Sequence, residues 1–183
     1  DFKPSLSENG KQIAFVSYAS NLTPLDGPYY DVFLRDRSAG TTTLMSTDDI
    51  GTLSNSDSYY NAISDDGTKV AFFTYSSTFA NASGYNNVYV KDVATGILTL
   101  ASAGSDGLTA SYYIEASISI SQDGQYVSFG SYYSVFTAPP LGYTGPADTN
   151  NTGDLFVKNM TTGELVLAST NSSGALSTNG IQS

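Results

Sequence analysis

The sequence predicts an all-β chain made of three tandem copies of one four-stranded antiparallel unit, and three observations carry that prediction. The run Ser7 to Phe15 (Ser-Glu-Asn-Gly-Lys-Gln-Ile-Ala-Phe) recurs as Ser64 to Phe72 (Ser-Asp-Asp-Gly-Thr-Lys-Val-Ala-Phe) and as Ser121 to Phe129 (Ser-Gln-Asp-Gly-Gln-Tyr-Val-Ser-Phe), both at steps of 57 residues. A fixed internal period is the mark of a stacked unit. Each copy holds an Asn-Gly or Asp-Gly dipeptide, Asn9-Gly10, Asp66-Gly67 and Asp123-Gly124, flanked by apolar runs, which is the strongest short-range hairpin signal. Finally, Ile114, Ala116, Ile118 and Ile120 alternate with Glu115, Ser117, Ser119 and Ser121, the period of two that a pleated strand imposes.

Each unit then reads as four strands. The first is the alternating segment ahead of the Asx-Gly dipeptide, best seen in unit three. The dipeptides read as two-residue type I′ turns, because that geometry demands positive φ at both central residues. Strand two is Ile13 to Ser17 and its equivalents. Strand three is a second recurring block, Asp31-Val32-Phe33-Leu34-Arg35-Asp36, then Asn87-Val88-Tyr89-Val90-Lys91-Asp92, then Asp154-Leu155-Phe156-Val157-Lys158-Asn159. A turn ending at Gly40, Gly96 or Gly163 feeds an apolar fourth strand that closes at Ser46, Ser102 or Ser169. The second block recurs at steps of 56 and 67, so unit three carries an insertion of about 11 residues around Thr137 to Gly153. The units run approximately 1–57, 58–113 and 114–183 as one region. No stretch offers an amphipathic helix longer than about a turn.

The pattern Ser-x-Asp-Gly-x-x-Val-Ala-Phe, followed by Asp-Val-Phe-x-x-Asp-x-x-x-Gly and an apolar strand, resembles the TolB-type, WD-repeat-like β-propeller blade. The likeness covers essentially the whole chain in three copies. It implies four-stranded antiparallel blades around a central axis. Two departures stand out: Asn159 replaces the acid that closes the block at Asp36 and Asp92, and Asn87 replaces the acid that opens it at Asp31 and Asp154. An amide at either place keeps the ability to cap a turn but not the charge. A Ser-x-Asp-Gly run is also similar to the sialidase Asp-box, but that motif has one more residue before its glycine.

Propellers close with about four to eight blades, so three copies suit a fragment of a six-bladed ring, a half-ring completed by a second copy, or a unit of an open head-to-tail assembly. The connector lengths fit both end-to-end joining and truncation. Asp at position 1 reads as a processed or excised chain with no signal stretch at its start. The β-trefoil is the alternative all-β fold, since it too is built from three four-stranded units.

Composition narrows the chemistry. The chain of 183 residues has 17 acidic and 7 basic side chains, a formal charge of −10, and no His, Cys or Trp. Imidazole triads, thiol nucleophiles, disulfides and thiolate metal centres are therefore excluded. So acidic a chain is no nucleic-acid binder, because neutralising phosphates needs a basic face. No apolar run approaches the ~20 residues that span a bilayer. Low Lys, many hydroxyls and amides and 14 Tyr suggest an extracellular or cell-surface protein, with a periplasmic setting as the alternative.

Two sets of residues are candidates for function. Tyr29-Tyr30, Tyr59-Tyr60 and Tyr112-Tyr113 are adjacent pairs whose rings point to opposite faces of a strand, so one of each can be presented for stacking on a glycan or for anchoring a protein interface. Tyr18, Tyr75 and Tyr132 recur at the repeat spacing and read as core fillers. The loop Asp148-Thr149-Asn150-Asn151-Thr152-Gly153-Asp154 matches the start of a calcium loop, where short oxygen ligands alternate and glycine permits the sharp turn. Its ligands would be Asp148, Asn150, Thr152 and Asp154, with Asp26 and Asp31 in the corresponding loop of unit one. The same residues also suit Asx turns that cap backbone amides. The reading that results is a non-enzymatic binding or scaffold module for protein or glycan contacts, with self-assembly as one use of it. A structural subunit of a homo-oligomer or filament is the alternative, and a glycosidase or lyase working through paired acids comes third.

Overall fold

The computed structural model describes residues 3–80, 86–104, 113–132, 143–144 and 152–178. Among these the chain forms three separate antiparallel sheets and no helix. The first sheet runs in chain order through β1 (Ser5–Leu6), β2 (Gln12–Ser17), β3 (Asp31–Asp36) and β4 (Thr41–Leu44). The second repeats that order with β5 (Ser58–Ile63), β6 (Lys69–Thr74), β7 (Asn87–Asp92) and β8 (Leu98–Leu100). The third uses β9 (Tyr113–Ile120), β10 (Tyr126–Tyr132), β12 (Gly153–Asn159) and β13 (Leu165–Leu167) in the same way. It departs from the expected four strands by adding β11 (Tyr143–Thr144) parallel to β13. The inserted residues ahead of β12 supply the chain that reaches this outer edge. Strand β5 packs beside both β1 and β9, so the first strands converge on a common axis and the fourth strands lie outside. Three sheets standing face to face around an axis are propeller blades, which sets the trefoil alternative aside.

The Ser-x-Asx-Gly motif builds each first turn, though not as a type I′ turn. Only the glycines, Gly10, Gly67 and Gly124, take positive φ; Asn9, Asp66 and Asp123 do not. The glycine N–H instead donates to the serine carbonyl three residues back, at 2.8–2.9 Å. The serine and Asx side chains supply the remaining bonds. In unit two the Ser64 hydroxyl donates to Asp66 Oδ1 (2.6 Å) and accepts the Lys69 N–H (3.0 Å), while Asp66 Oδ1 also accepts the Thr68 N–H (2.9 Å). The same set recurs around Ser7 and Ser121. Side-chain oxygens thus do part of the work expected of backbone dihedrals.

The other recurring polar residues are equally structural. Oδ1 of Asp36, Asp92 and Asn159 each accepts two backbone N–H groups of the following turn, at 2.8–3.1 Å. The amide at position 159 therefore caps as the acids do. At the other end of the block, Ser46, Ser102 and Ser169 accept the N–H groups of Val32, Val88 and Leu155 from across the sheet. Ser46 and Ser169 also donate to Asp31 and Asp154.

Alternation along the strands gives the sheets apolar faces, and those at the two internal junctions are buried against the neighbouring sheet. Ala14, Val32, Leu34 and Met45 of the first sheet meet Val70, Phe72 and Tyr89 of the second. Ala71, Phe73, Val88, Val90 and Ala101 meet Val127, Phe129, Phe156, Leu165 and Leu167 of the third. Buried lysines fasten the same junctions. Lys91 Nζ donates to the carbonyls of Thr47 (2.9 Å) and Asp48 (2.8 Å) on the preceding sheet, and Lys158 Nζ to that of Ala103 (2.6 Å). Burial pulls the Lys91 ammonium below its ordinary value, with Asp49 and Asp48 opposing the shift. Removing either lysine leaves buried carbonyls unsatisfied. Lys91→Ala and Lys158→Ala are each expected to lower the unfolding free energy by about 2 kcal/mol, measured by urea titration.

Candidate functional site

The tyrosines gather at one end of the first two blades, opposite the Ser-x-Asx-Gly turns. Tyr18 follows β2, Tyr30 precedes β3, Tyr59 is the second residue of β5 and Tyr75 follows β6. Their rings form a continuous ledge across the blade junction: Tyr18 to Tyr30 at 5.1 Å between centroids, Tyr30 to Tyr59 at 5.4 Å, and Tyr59 to Tyr75 at 6.3 Å, edge on. Phe73 supports it from below, at 4.9 Å from Tyr75 and 5.9 Å from Tyr60. Such spacings lie within the range of favourable ring pairs.

Asp57 fixes the middle of the ledge. Its Oδ1 accepts the Tyr30 N–H (2.9 Å) and its Oδ2 accepts the Tyr59 hydroxyl (2.8 Å), while the Ser58 N–H donates to the Tyr30 carbonyl (2.7 Å). Burial and the bond to Asp57 push the Tyr59 phenol well above its usual range, so it stays a neutral donor. Tyr60 has φ of +47°, an uncommon conformation for a non-glycine residue. It sits at the irregularity where β5 slips in register against β6 between Tyr59 and Ala62, as a β-bulge does when it re-aims neighbouring side chains.

The tyrosine expectations are met unevenly. Tyr30 and Tyr59 lie in the ledge, Tyr60 packs into the core between the second and third blades, and Tyr29 stands apart against Gly27. Tyr112 and the side chain of Tyr113 lie outside the described residues. Tyr18 and Tyr75 correct the reading as core fillers, being 59% and 44% exposed. They follow their strands by one residue, beyond the part of the sheet that the neighbouring blade covers. Nothing in a repeat spacing separates a buried repeated position from a repeated rim position; only the distance past the strand end could have signalled it. Tyr132 is likewise a residue whose side chain is outside the described set.

Of the expected calcium ligands, Asp148 and Asn150 are outside the described residues. Asp154 and Asp31 are buried at the starts of β12 and β3, each holding the serine hydroxyl of its own fourth strand. Thr152 lies just ahead of β12, and Asp26 lies in the loop before β3, near enough for its charge to act on Asp31. Among the described residues no group of three or more acids is placed to hold a metal ion. Asp31 is the most perturbed acid of this end: burial raises it to about 6, the Ser46 hydroxyl opposes, and the charges of Asp26 and Asp57 add to the rise.

The fold defined by these sheets is that of TolB-type β-propeller blades. Comparison with solved structures agrees: TolB from Acinetobacter baumannii matches with TM-score 0.52 and 17% identity over 91% of this chain and 32% of its own. A putative TolB from Agrobacterium tumefaciens matches with TM-score 0.53 and 14% identity, over 91% and 49%. The β-propeller domain of the Trilobed protease from Pyrococcus furiosus matches with TM-score 0.53 and 13% identity, over 90% and 41%. The chain thus spans between about a third and a half of the length of these proteins. No family model and no curated protein matches its sequence.

The raised Asp31 has a signed consequence. An acid whose pKa is higher folded than unfolded favours folding while protonated, and that advantage disappears as pH rises through the folded value. Stability relative to Asp31→Asn is therefore expected to fall between about pH 4 and pH 6. Thermal unfolding of both proteins across that window checks it; parallel curves would refute the shift.

Proposed function

We propose that this chain is a non-enzymatic binding module, working in the extracellular or periplasmic space, that takes a segment of a partner protein on the tyrosine ledge. The observation that carries the reading is the row Tyr18, Tyr30, Tyr59 and Tyr75 crossing the first blade junction, with its outer rings exposed. Tyrosine has only two rotatable angles and presents a broad amphipathic surface, so it binds at low entropic cost. Asp57 holds the ledge in place before any partner arrives, which cuts the cost of ordering on binding. Asp57 within it, on a chain of net charge −10, favours a segment bearing Lys or Arg, whose cation can also sit over a tyrosine ring. The non-enzymatic reading is supported by the condition of Asp31: this acid, raised to about 6, is buried and engaged by Ser46.

Selection from a displayed peptide library is expected to enrich aromatic-flanked Lys or Arg sequences. Tyr18→Ser combined with Tyr75→Ser should weaken the enriched peptides about tenfold or more without a shift in melting temperature. Enrichment untouched by the double substitution would overturn the ledge as the site. Binding on a glycan array alone, lost in the same variant, would replace the protein partner with a carbohydrate.

A further inference from the structure

The first blade junction carries on its outer rim a cleft of about 320 Å³, between a hairpin of the first blade and the edge strand of the second. That volume lies within the range of small-molecule sites. The hairpin runs from Thr47 to Leu53, which pair as a β-bridge. Inside it the Asp48 N–H donates to the Thr52 carbonyl (3.0 Å), and Asp48 Oδ1 accepts the N–H groups of Ile50 (3.0 Å) and Thr52 (2.7 Å). The tip is tied across the junction, because Asp49 Oδ1 accepts the Leu98 N–H of β8 at 2.6 Å. On the opposite bank the Thr78 hydroxyl donates to the Leu53 carbonyl (3.2 Å), and the Tyr89 hydroxyl donates to that of Ala80 (3.2 Å). Hydrogen bonds thus hold both banks before any ligand enters, which lowers the cost of binding.

The lining joins an apolar wall to charge of one sign. Ile50, Ala80 and Leu98 give aliphatic surface over the buried Tyr89, and Ile50 is 90% exposed. Asp48 and Asp49 supply two carboxylates. Slight burial opposes it, but the Thr52 hydroxyl and the N–H groups of Thr52 and Ile50 hold the Asp48 carboxyl below its ordinary value, so it is charged at neutral pH. The neighbouring cation, Lys91, directs its three donors at the Thr47 carbonyl, the Thr47 hydroxyl and the Asp48 carbonyl. It therefore gives neither carboxylate a hydrogen bond. Asp49 Oδ2 has no hydrogen-bond partner among the described residues. The same bonds tell lysine from arginine. Each carboxylate commits Oδ1 to backbone N–H groups, so neither presents two free oxygens to the planar fork of a guanidinium. A compact ammonium with three rotatable donors needs only a lone pair from each, and its four-carbon stem matches the aliphatic wall.

We propose that this cleft takes the side chain of a partner's lysine, its ammonium between Asp48 and Asp49 and its stem against Ile50 and Leu98. The cleft continues the tyrosine ledge. Tyr75 ends the ledge, and Thr78 of the cleft follows it by three residues, at most about 11 Å along the chain. The two residues between them are pinned to the first blade's connector. The Ser77 N–H and the Ser76 hydroxyl donate to Asn55 Oδ1 (3.0 and 3.1 Å), and Asn55 Nδ2 donates to Ser77 Oγ (2.9 Å). An extended segment lying on the ledge thus brings a lysine to the cleft about three residues beyond its contact with Tyr75. Delivery of that lysine rests on the ledge reading, whereas recognition of the alkylammonium does not.

The test uses Nα-acetyl-lysine amide as probe and the methyl resonances of Ile50 and Leu98 as readout. Both residues are expected to shift, saturating at about 1–10 mM probe at low salt, and to respond less in about 0.5 M sodium chloride. The norleucine analogue, which has the stem without the charge, should give no saturating shift. Asp48→Asn combined with Asp49→Asn keeps an oxygen for each backbone N–H, removes both charges and is expected to weaken the probe about tenfold or more. Methyl groups undisturbed at about 50 mM probe, or norleucine binding as well as lysine, would overturn the cleft as a lysine site. Tighter binding of the arginine analogue would overturn the choice of cation. Should the double amide variant fail to fold, Ile50→Ser, at an exposed side chain, is expected to weaken the probe about threefold as read at Leu98; unchanged binding would refute the stem contact. Tyr18→Ser with Tyr75→Ser separates this cleft from the ledge, since it should lose the selected peptides and keep the lysine probe. Replacing the lysine of such a peptide by norleucine should weaken it in the unaltered chain but not in Asp49→Asn; equal losses in both would refute delivery to the cleft and leave the ledge standing.

Discussion

Everything in this molecule follows from the need of a twisted four-stranded sheet to cover two apolar faces at once. Alternation along β6 and β7 sends Val70, Phe72 and Tyr89 one way and Ala71, Phe73, Val88 and Val90 the other, so the second blade has no solvent side. A sheet of that kind is stable only between two neighbours. The chain answers by repeating the unit and by spending its polar residues on the joints: hydroxyls and carboxylates fold the turns, and lysines tie blade to blade. The cost is that the Lys91 and Lys158 ammonium groups are buried, which is tolerable because each finds backbone carbonyls there.

Architecture of this kind is quasi-one-dimensional, with each blade touching only its neighbours. Among the described residues the second blade is held from both sides, the first and third from the side that faces it. The tyrosine ledge exploits that gradient. It bridges the first junction at its rim, where Asp57 from the connector leading into β5 grips the backbone of the residue entering β3. A ligand seated there would be gripped by two blades, so its binding would stiffen the joint itself.

Much of this is visible in the sequence because the repeat exposes it. The number of units, the strand order and the placing of every Asx-Gly turn follow from three copies of one pattern, since a residue type kept at three places is kept for a local geometric reason. The turn type was not visible. Ser7, Ser64 and Ser121 change the geometry by lending their hydroxyls, and a dipeptide rule cannot weigh a side chain two residues upstream. Strand β11 was hidden inside an insertion that has no counterpart in the other units. The ledge was half visible: the paired tyrosines were evident, but Tyr18 and Tyr75 carry the same spacing as core positions, and Asp57, which organises them, belongs to no repeat. The clasping role of Lys91 and Lys158 was equally hidden, because a cation between apolar residues of a strand looks the same whether it faces water or a neighbouring carbonyl.

The strand β11 has one further effect, on the rim farthest from the axis. β4 and β8 end their sheets with strands of four and three residues, and a short edge gives a foreign strand little to template on. β13 is as short, yet β11 lies along it in parallel, pairing Tyr143 with Leu165 and Thr144 with Val166. The insertion therefore works as a selvedge, a finished border on the outer margin of the third sheet that blocks accretion of strands from other molecules. Sideways polymerisation through an open edge of the third sheet is thereby discouraged.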